Sequence, residues 1–528
     1  MSSLDVLPIP DDITVEGLDL GHGLRGRGFL DKVVQLRSSW LIDVAAWIGT
    51  PEEPLVEEDY LFVPPAESRI RAQDLPYDIL SSIFPFCLPA NLFEYPQPNA
   101  KVAPLLLCHI CSSWRLVALT MCPRLWCELA IILEYVTAKS SAGSGFLRTK
   151  MDVLEFWTSR MGVIPPSFHF IREHLATSIT SDSLFVHAAE FWTIPSIHSS
   201  EFLTLHGFSV LDIATYNKTS KERTYPNLRS LAVSQPSGRE DSTIYLAKLN
   251  APSLRRLYFD CFTDQSRNRD KLLNIFPWTN LTHLCANISI TRHDWYPILY
   301  ECSNLESGIF NITFYSRATQ AGDAPPPHRA LCVHKSLREL TIQCSSLESG
   351  DIFDSLLFPS LKCLRLSHPS TKYIPIDSLN RMFVATPFVQ ELHLRTCIGF
   401  GFPDFLSSSE HHRFAGPLSQ YLPNLKRLLV DAIGYEVRFM ALPSDLVTFM
   451  RSDWLASGWP DGKRELEFIL DKGRNFSLSI IESLMGQSVE SCPFEMSARY
   501  EEGGVWSWRP LTAIDLMDNW DTVTKFRY

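Results

Sequence analysis

No run of about 18 apolar residues occurs in this 528-residue chain, so it offers no candidate membrane-crossing helix. Its first residues, MSSLDVLPIPDD, are acidic and lack the basic end and apolar core of a secretory signal. Basic charge is scarce too. The 48 Lys and Arg stand against 59 Asp and Glu, a net of −11, which argues against nucleic acid as a partner. The sequence also lacks His-Glu-x-x-His, a Walker loop, Gly-x-Ser-x-Gly and the kinase set, so the reading is of a non-enzyme with no cofactor and no metal. The 13 cysteines are odd in number and scattered through apolar segments. That pattern reads as reduced, buried thiols in a cytoplasmic or nuclear protein. The Asn-x-Ser/Thr sites at Asn217, Asn280, Asn287, Asn311 and Asn475 are then chance matches.

What is present is ordinary globular material, 45% apolar and 20% charged, long enough for two to four domains. Residues 1–70 read as an extension and linker. Gly21–Gly26 (GHGLRG) matches Gly-x-Gly-x-x-Gly between a strand-like and a helix-like run, but no βαβ unit completes it. A glycine-rich turn is the better account. Cys108 and Cys111, with Cys122 and Cys127 nearby, could be counted toward zinc. They fall inside LLLCHICSSW, one helical turn apart, and buried thiols explain them better.

Residues 71–132 read as a small helical domain. In LPYDILSSIFPFCL, Ile79, Leu80, Ile83, Phe84, Cys87 and Leu88 recur in pairs four apart, one stripe on a helix. Pro76 suits a helix start and Asp78 its first turn. A second helical run extends from Leu107 to Met121, and Pro123 stops it before a short segment holding Leu125, Trp126 and Leu129. So small a unit buries little apolar surface. Either it packs on the rest of the chain or it completes its core against a partner.

The wording of this block resembles an F-box of the expanded fungal type. The resemblance lies in the Leu-Pro opening, the acidic residue two further on (Asp, where the family more often has Glu), the Ile-Leu and Ile-Phe pairs, Cys-x-x-Trp-Arg and a closing Leu-Trp. It implies binding to the Skp-type adaptor of cullin–RING ubiquitin ligases. Leu75, Pro76, Ile79, Leu80, Ile83, Phe84, Cys111, Trp114 and Trp126 would form or support the adaptor face.

From 133 to 455 a pattern recurs: Leu, two residues, Leu, one residue, apolar. It begins at Leu228, Leu254, Leu281, Leu305, Leu337, Leu361, Val389 and Leu425, with gaps of 26, 27, 24, 32, 24, 28 and 36 residues. Five gaps fall in the leucine-rich-repeat range. Helices are expected at Asp270–Phe276, Asp294–Glu301, Asp351–Phe358 and Asp377–Ala385, with Asp at the caps. FHFI (168–171) and FLTL (202–205) read as earlier strands. The resemblance to leucine-rich repeats is good in the strand and poor after it, and Gly308 stands where a Leu belongs. The fold expected is therefore α+β overall: an all-α module, then an irregular α/β leucine-rich-repeat-like solenoid, with 456–528 as a C-terminal cap region.

If the leucines face the core, the residues between them share the opposite side of the sheet. Those are Arg256, Tyr258, Asp260, His283, Glu339, Gln343, Arg365, Glu391, His393, Arg395 and Arg427. They nominate a face for an unidentified target protein, although a solvated sheet face gives the same alternation. Together the two resemblances imply the substrate-recognition subunit of a ubiquitin ligase; the alternative is an interaction scaffold of the same architecture that never joins one.

Overall fold

The computed structural model describes residues 75–88, 98–133, 151–172, 195–206, 224–234, 249–260, 276–290, 292–312, 331–344, 350–368, 376–396, 416–431, 458–460, 462, 464–471 and 494–501. All lie in one unit, Arg71–Tyr528. The Gly21–Gly26 turn, the expected helix at 270–275 and Trp506, Trp508 and Trp520 fall outside the described residues.

Helix α1 spans Tyr77–Ile83. Pro76 precedes it in extended geometry and its carbonyl accepts the first helical bond, from Leu80 N at 3.0 Å. Pro85 has no N–H to continue the ladder. The chain therefore tightens into a 3-10 turn over Phe84–Cys87, and the stripe expected to run on to Leu88 is cut short. The single helix expected from Leu107 to Met121 is also two: α2, Leu105–Ile110, and α3, Ser112–Thr120. Cys111 between them is extended, at φ −159° and ψ 170°. Arg115 Nε donates to the Cys108 carbonyl at 2.7 Å, satisfying an acceptor that the end of α2 leaves open. Cys108 and Cys111 thus do not share one helix. A 3-10 turn, Pro123–Trp126, closes this segment.

Leu129, expected in the helical block, belongs instead to the first strand. The strands are β1 Glu128–Leu133, β2 Ser167–Arg172, β3 Phe202–His206, β4 Ser230–Ser234, β5 Arg256–Asp260, β6 His283–Ile290, β7 Ser307–Ile312, β8 Cys332–Val333, β9 Glu339–Cys344, β10 Leu356–Leu357, β11 Cys363–His368, β12 Glu391–Thr396, β13 Arg427–Asp431, β14 Arg464–Asp471 and β15 Phe494–Glu501. β8 and β10 form a small pair, and the other 13 strands form one sheet in chain order. Each strand of that sheet pairs in parallel with its successor. The fold is mixed helix and strand, dominated by a large parallel sheet.

Register puts like residues in rows. Leu129, Phe168, Leu203, Leu231, Leu257, Leu284, Gly308, Leu340, Leu364, Leu392, Leu428 and Leu466 occupy one row across twelve strands. A second row two residues on runs through Phe170, Leu205, Val233, Phe259, Phe310, Ile342, Leu366 and Leu394, and both rows are buried. Gly308 interrupts the leucines because the Phe310 ring folds back beneath it: a Cβ there would stand 2.5 Å from Phe310 Cε2.

A second device stitches the strand entries. In five consecutive repeats the residue before the first Leu is Asn or Ser, and its side chain donates to a carbonyl one repeat earlier. Asn280 Nδ2 reaches Pro252 O at 3.1 Å, Asn304 Nδ2 reaches Thr279 O at 2.8 Å, and Ser336 Oγ reaches Ser303 O at 3.3 Å. Asn227 and Ser253 repeat the contact toward Ser199 O and Pro226 O.

Between strands, helices span Arg292–Glu301 and Ile376–Ala385. Asp294 and Asp377 lie within their first turns rather than at the caps. The helix expected over Asp351–Phe358 is only a 3-10 turn, Gly350–Phe353, followed by β10. Trp295 Nε1 and Tyr296 Oη donate to the carbonyls of Ile352 at 2.9 Å and Asp354 at 2.7 Å, acceptors a helix would have used. Finally, β14 and β15 continue the sheet through the region expected to cap it.

Candidate functional site

Leu80, Phe84, Leu107, Val117, Ala118, Leu125 and Trp126 form the interior of the helical segment. Trp126 Nε1 donates to Ala118 O at 2.8 Å, and the Phe84 and Trp114 rings lie 5.1 Å apart. The Cys122 thiol reaches Ser81 O at 3.8 Å, tying the end of α3 to α1. Burial pushes the Cys108 and Cys127 thiols up to about 11, despite Arg115, Arg160 and Arg124 nearby. These sulfurs are packing groups. Among the described residues no group of three or more His, Cys, Asp or Glu could hold a metal ion.

The nine residues nominated on the helical segment divide into two sets. Leu80, Phe84 and Trp126 are fully buried, Leu75 and Trp114 are half-buried against the interior, and Cys111 is half-buried. Pro76, Ile79 and Ile83 are exposed. Ile79 and Ile83 stand four apart on α1, and Phe86, three further on, is 79% exposed. Tyr77, Ile110, Leu116 and Met121 are exposed as well. So α1 carries apolar residues on two sides, one in the interior and one without cover among the described residues. Phe86 and Tyr77 were missed in the sequence, where the proline beside Phe86 was the available signal.

On the sheet, register sorts the other eleven. Arg256, His283, Glu339, Glu391 and Arg427 share one cross-strand row, with Ser307 and Cys363 between them. Tyr258, Arg365 and His393 occupy the next row on that face. Gln343 and Arg395 stand one further along, as does Asp260 on its own strand; the side chains of these three lie outside the described residues. The middle row is interior, with Tyr258, Arg365 and His393 all buried. In the first row Arg256, His283, Glu339, Glu391 and Arg427 are half-buried, while Ser307 and Cys363 between them are buried.

The charges in these rows are mutually engaged. Arg365 Nη1 lies 3.5 Å from Glu339 Oε2, and Arg427 binds Glu467 and stands 3.4 Å from Glu465 Oε2. Burial opposes the Arg427 charge, but Glu467, Glu391 and Glu465 more than offset it and its pKa is raised. Burial, with Glu391 and Glu339 adding to it against Arg365, pushes the Cys363 thiol up to about 12. This arrangement presents polar groups, with Arg365 and Arg427 held by carboxylates of adjoining strands.

Among the described residues no helix is long and apolar enough to cross a membrane. No protein-family model matches the chain, and no curated protein matches it.

Proposed function

We propose that this protein is the substrate-recognition subunit of a Skp–cullin–F-box type ubiquitin ligase. The observation that carries the proposal is α1. Its Ile79 and Ile83, with Pro76 before the helix and Phe86 beyond it, form an exposed apolar stripe beside the side of α1 that Leu80 places in the interior. That stripe lies within the sequence block that resembles an F-box, and a Skp-type adaptor is the partner the resemblance implies. The sheet supports the second half of the reading. Leucine rows at repeat spacing, with strands in single file, suit an irregular leucine-rich-repeat solenoid that presents one face to a target protein. The protein would contribute proximity and orientation rather than bond chemistry.

Copurification tests this. A recombinant Skp-type adaptor should be retained by the wild-type chain and by Arg256→Ala, and lost by Ile79→Asp/Ile83→Asp. A folded wild type that never retains the adaptor removes the ligase reading and leaves an interaction scaffold.

A further inference from the structure

The helical segment runs into the sheet with only Cys127 between the Pro123–Trp126 turn and β1. Both Trp126 and Trp157, the latter from the helical residues 151–158, are fully buried, their rings 4.8 Å apart and nearly perpendicular at 72°. One tryptophan faces each side. Trp126 Nε1 donates to Ala118 O in α3, and Trp157 Nε1 donates to Glu128 O at the start of β1, at 3.1 Å. Arg160 lies over Phe156, 3.3 Å from the ring centroid, and within 5.7 Å of the Trp126 centroid. The Glu128 side chain continues the connection: its Oε1 is 2.9 Å from His169 Nε2 in β2, and His169 Nδ1 is 3.2 Å from Thr204 Oγ1 in β3. His169 has no exposed surface. Helix α3, the turn, the helical residues 151–158 and three strands are therefore linked in series, by ring contact between Trp126 and Trp157 and by side-chain hydrogen bonds elsewhere, with Glu128 half-buried among otherwise buried partners.

Buried, bonded contacts of this kind open together, and exchange at their amides reports the cost of opening the whole group. We propose that this joint makes the helices of residues 75–126 and strands β1–β3 one cooperative unit, so that a partner bound to the exposed side of α1 stabilises the first strands of the sheet. The proposal rests on the docking reading of α1. Its consequence is regulatory: a chain without its partner opens at the head of the sheet more often than one carrying it.

The test is hydrogen exchange read by mass spectrometry on the full chain, with and without recombinant Skp-type adaptor at 100 times its Kd. Ligand that binds only the folded unit slows exchange throughout that unit by about 100-fold at this ratio. The expected result is slowing in α1 and an equal slowing in peptides covering β1, β2 and β3. Slowing in α1 with none in β1–β3 overturns the inference and leaves the docking reading standing. No slowing in α1 overturns both. Trp157→Ala should keep its adaptor Kd within twofold while the gain in β1–β3 falls below threefold. If that variant does not fold by circular dichroism, Trp157→Phe, which keeps an aromatic ring but not the N–H, should cut the gain to below about 30-fold. An undiminished 100-fold gain in either folded variant overturns the role given to the joint.

Discussion

Ile79 and Leu80 are neighbours in sequence and nearly equal in hydrophobicity, yet Leu80 is fully buried and Ile79 is 44% exposed. The same division separates Ile83 from Phe84. Removing Phe84 leaves a cavity in the interior, which costs about 3–5 kcal/mol, so Phe84→Ala should lower the melting temperature sharply or prevent folding. Ile83→Asp should change stability by under about 1 kcal/mol, measured by the same thermal denaturation, while losing the adaptor. Equal destabilisation by both would contradict the assignment of sides. The sequence showed both pairs as one stripe because i and i+4 spacing is satisfied by either face. Which of two adjacent apolar residues points inward depends on the packing of α3 and the 3-10 turn, and no local pattern carries that.

The raised thiols make a pH prediction at the same scale. Below the ordinary value of 9.0, Cys108 and Cys127 are neutral in folded and unfolded chains alike, so their contribution is fully present. As pH rises above 9.0 the unfolded chain loses these protons first, and the contribution drains away until the folded thiols ionise near 11. Thermal melting at pH 8 and pH 10.5 should therefore show a larger fall in the wild type than in Cys108→Ala/Cys127→Ala. Equal falls would mean the thiols are not held neutral by burial.

At the scale of elements, the repeat is maintained by two kinds of row. Asn304 Nδ2 reaches across to Thr279 O, and such a bond contributes about 1 kcal/mol net. Asn304→Ala should accordingly lower stability by about that amount in chemical denaturation; no change would mean the stitching at strand entries is incidental. Gly308→Ala should also destabilise, because the new Cβ meets the Phe310 ring. Gly308→Ala/Phe310→Leu should recover part of the loss. Much of this level was legible in the sequence. Leu-x-x-Leu located β4 to β13 of the large sheet, since in-register leucines are what a parallel stack needs. The Asn and Ser rows were visible in Pro-Asn-Leu and Pro-Ser-Leu but were not given a role, as the bonds run between repeats. β14 and β15 lack the leucine pattern and were missed. The helix expected at Asp351–Phe358 failed because side chains of Trp295 and Tyr296, more than 50 residues away, claim its carbonyls.

For the whole molecule, a helical segment with one apolar side uncovered among the described residues precedes a single-file parallel sheet, and the proposed function asks the first to hold the adaptor and the second to meet the target. The candidate recognition rows were legible only as alternation. Which members are interior, as Tyr258, Arg365 and His393 are, depends on what lies over that face and is invisible to a period of two. Calorimetric titration of the full chain with a recombinant Skp-type adaptor tests the docking role proposed for α1. Interface anchors typically lose about 2 kcal/mol or more on truncation. The wild type should bind saturably and one-to-one, and a folded Ile79→Asp/Ile83→Asp variant at least about 30-fold more weakly. Wild-type binding that this variant leaves unchanged, or no binding by a folded wild type, would contradict that role.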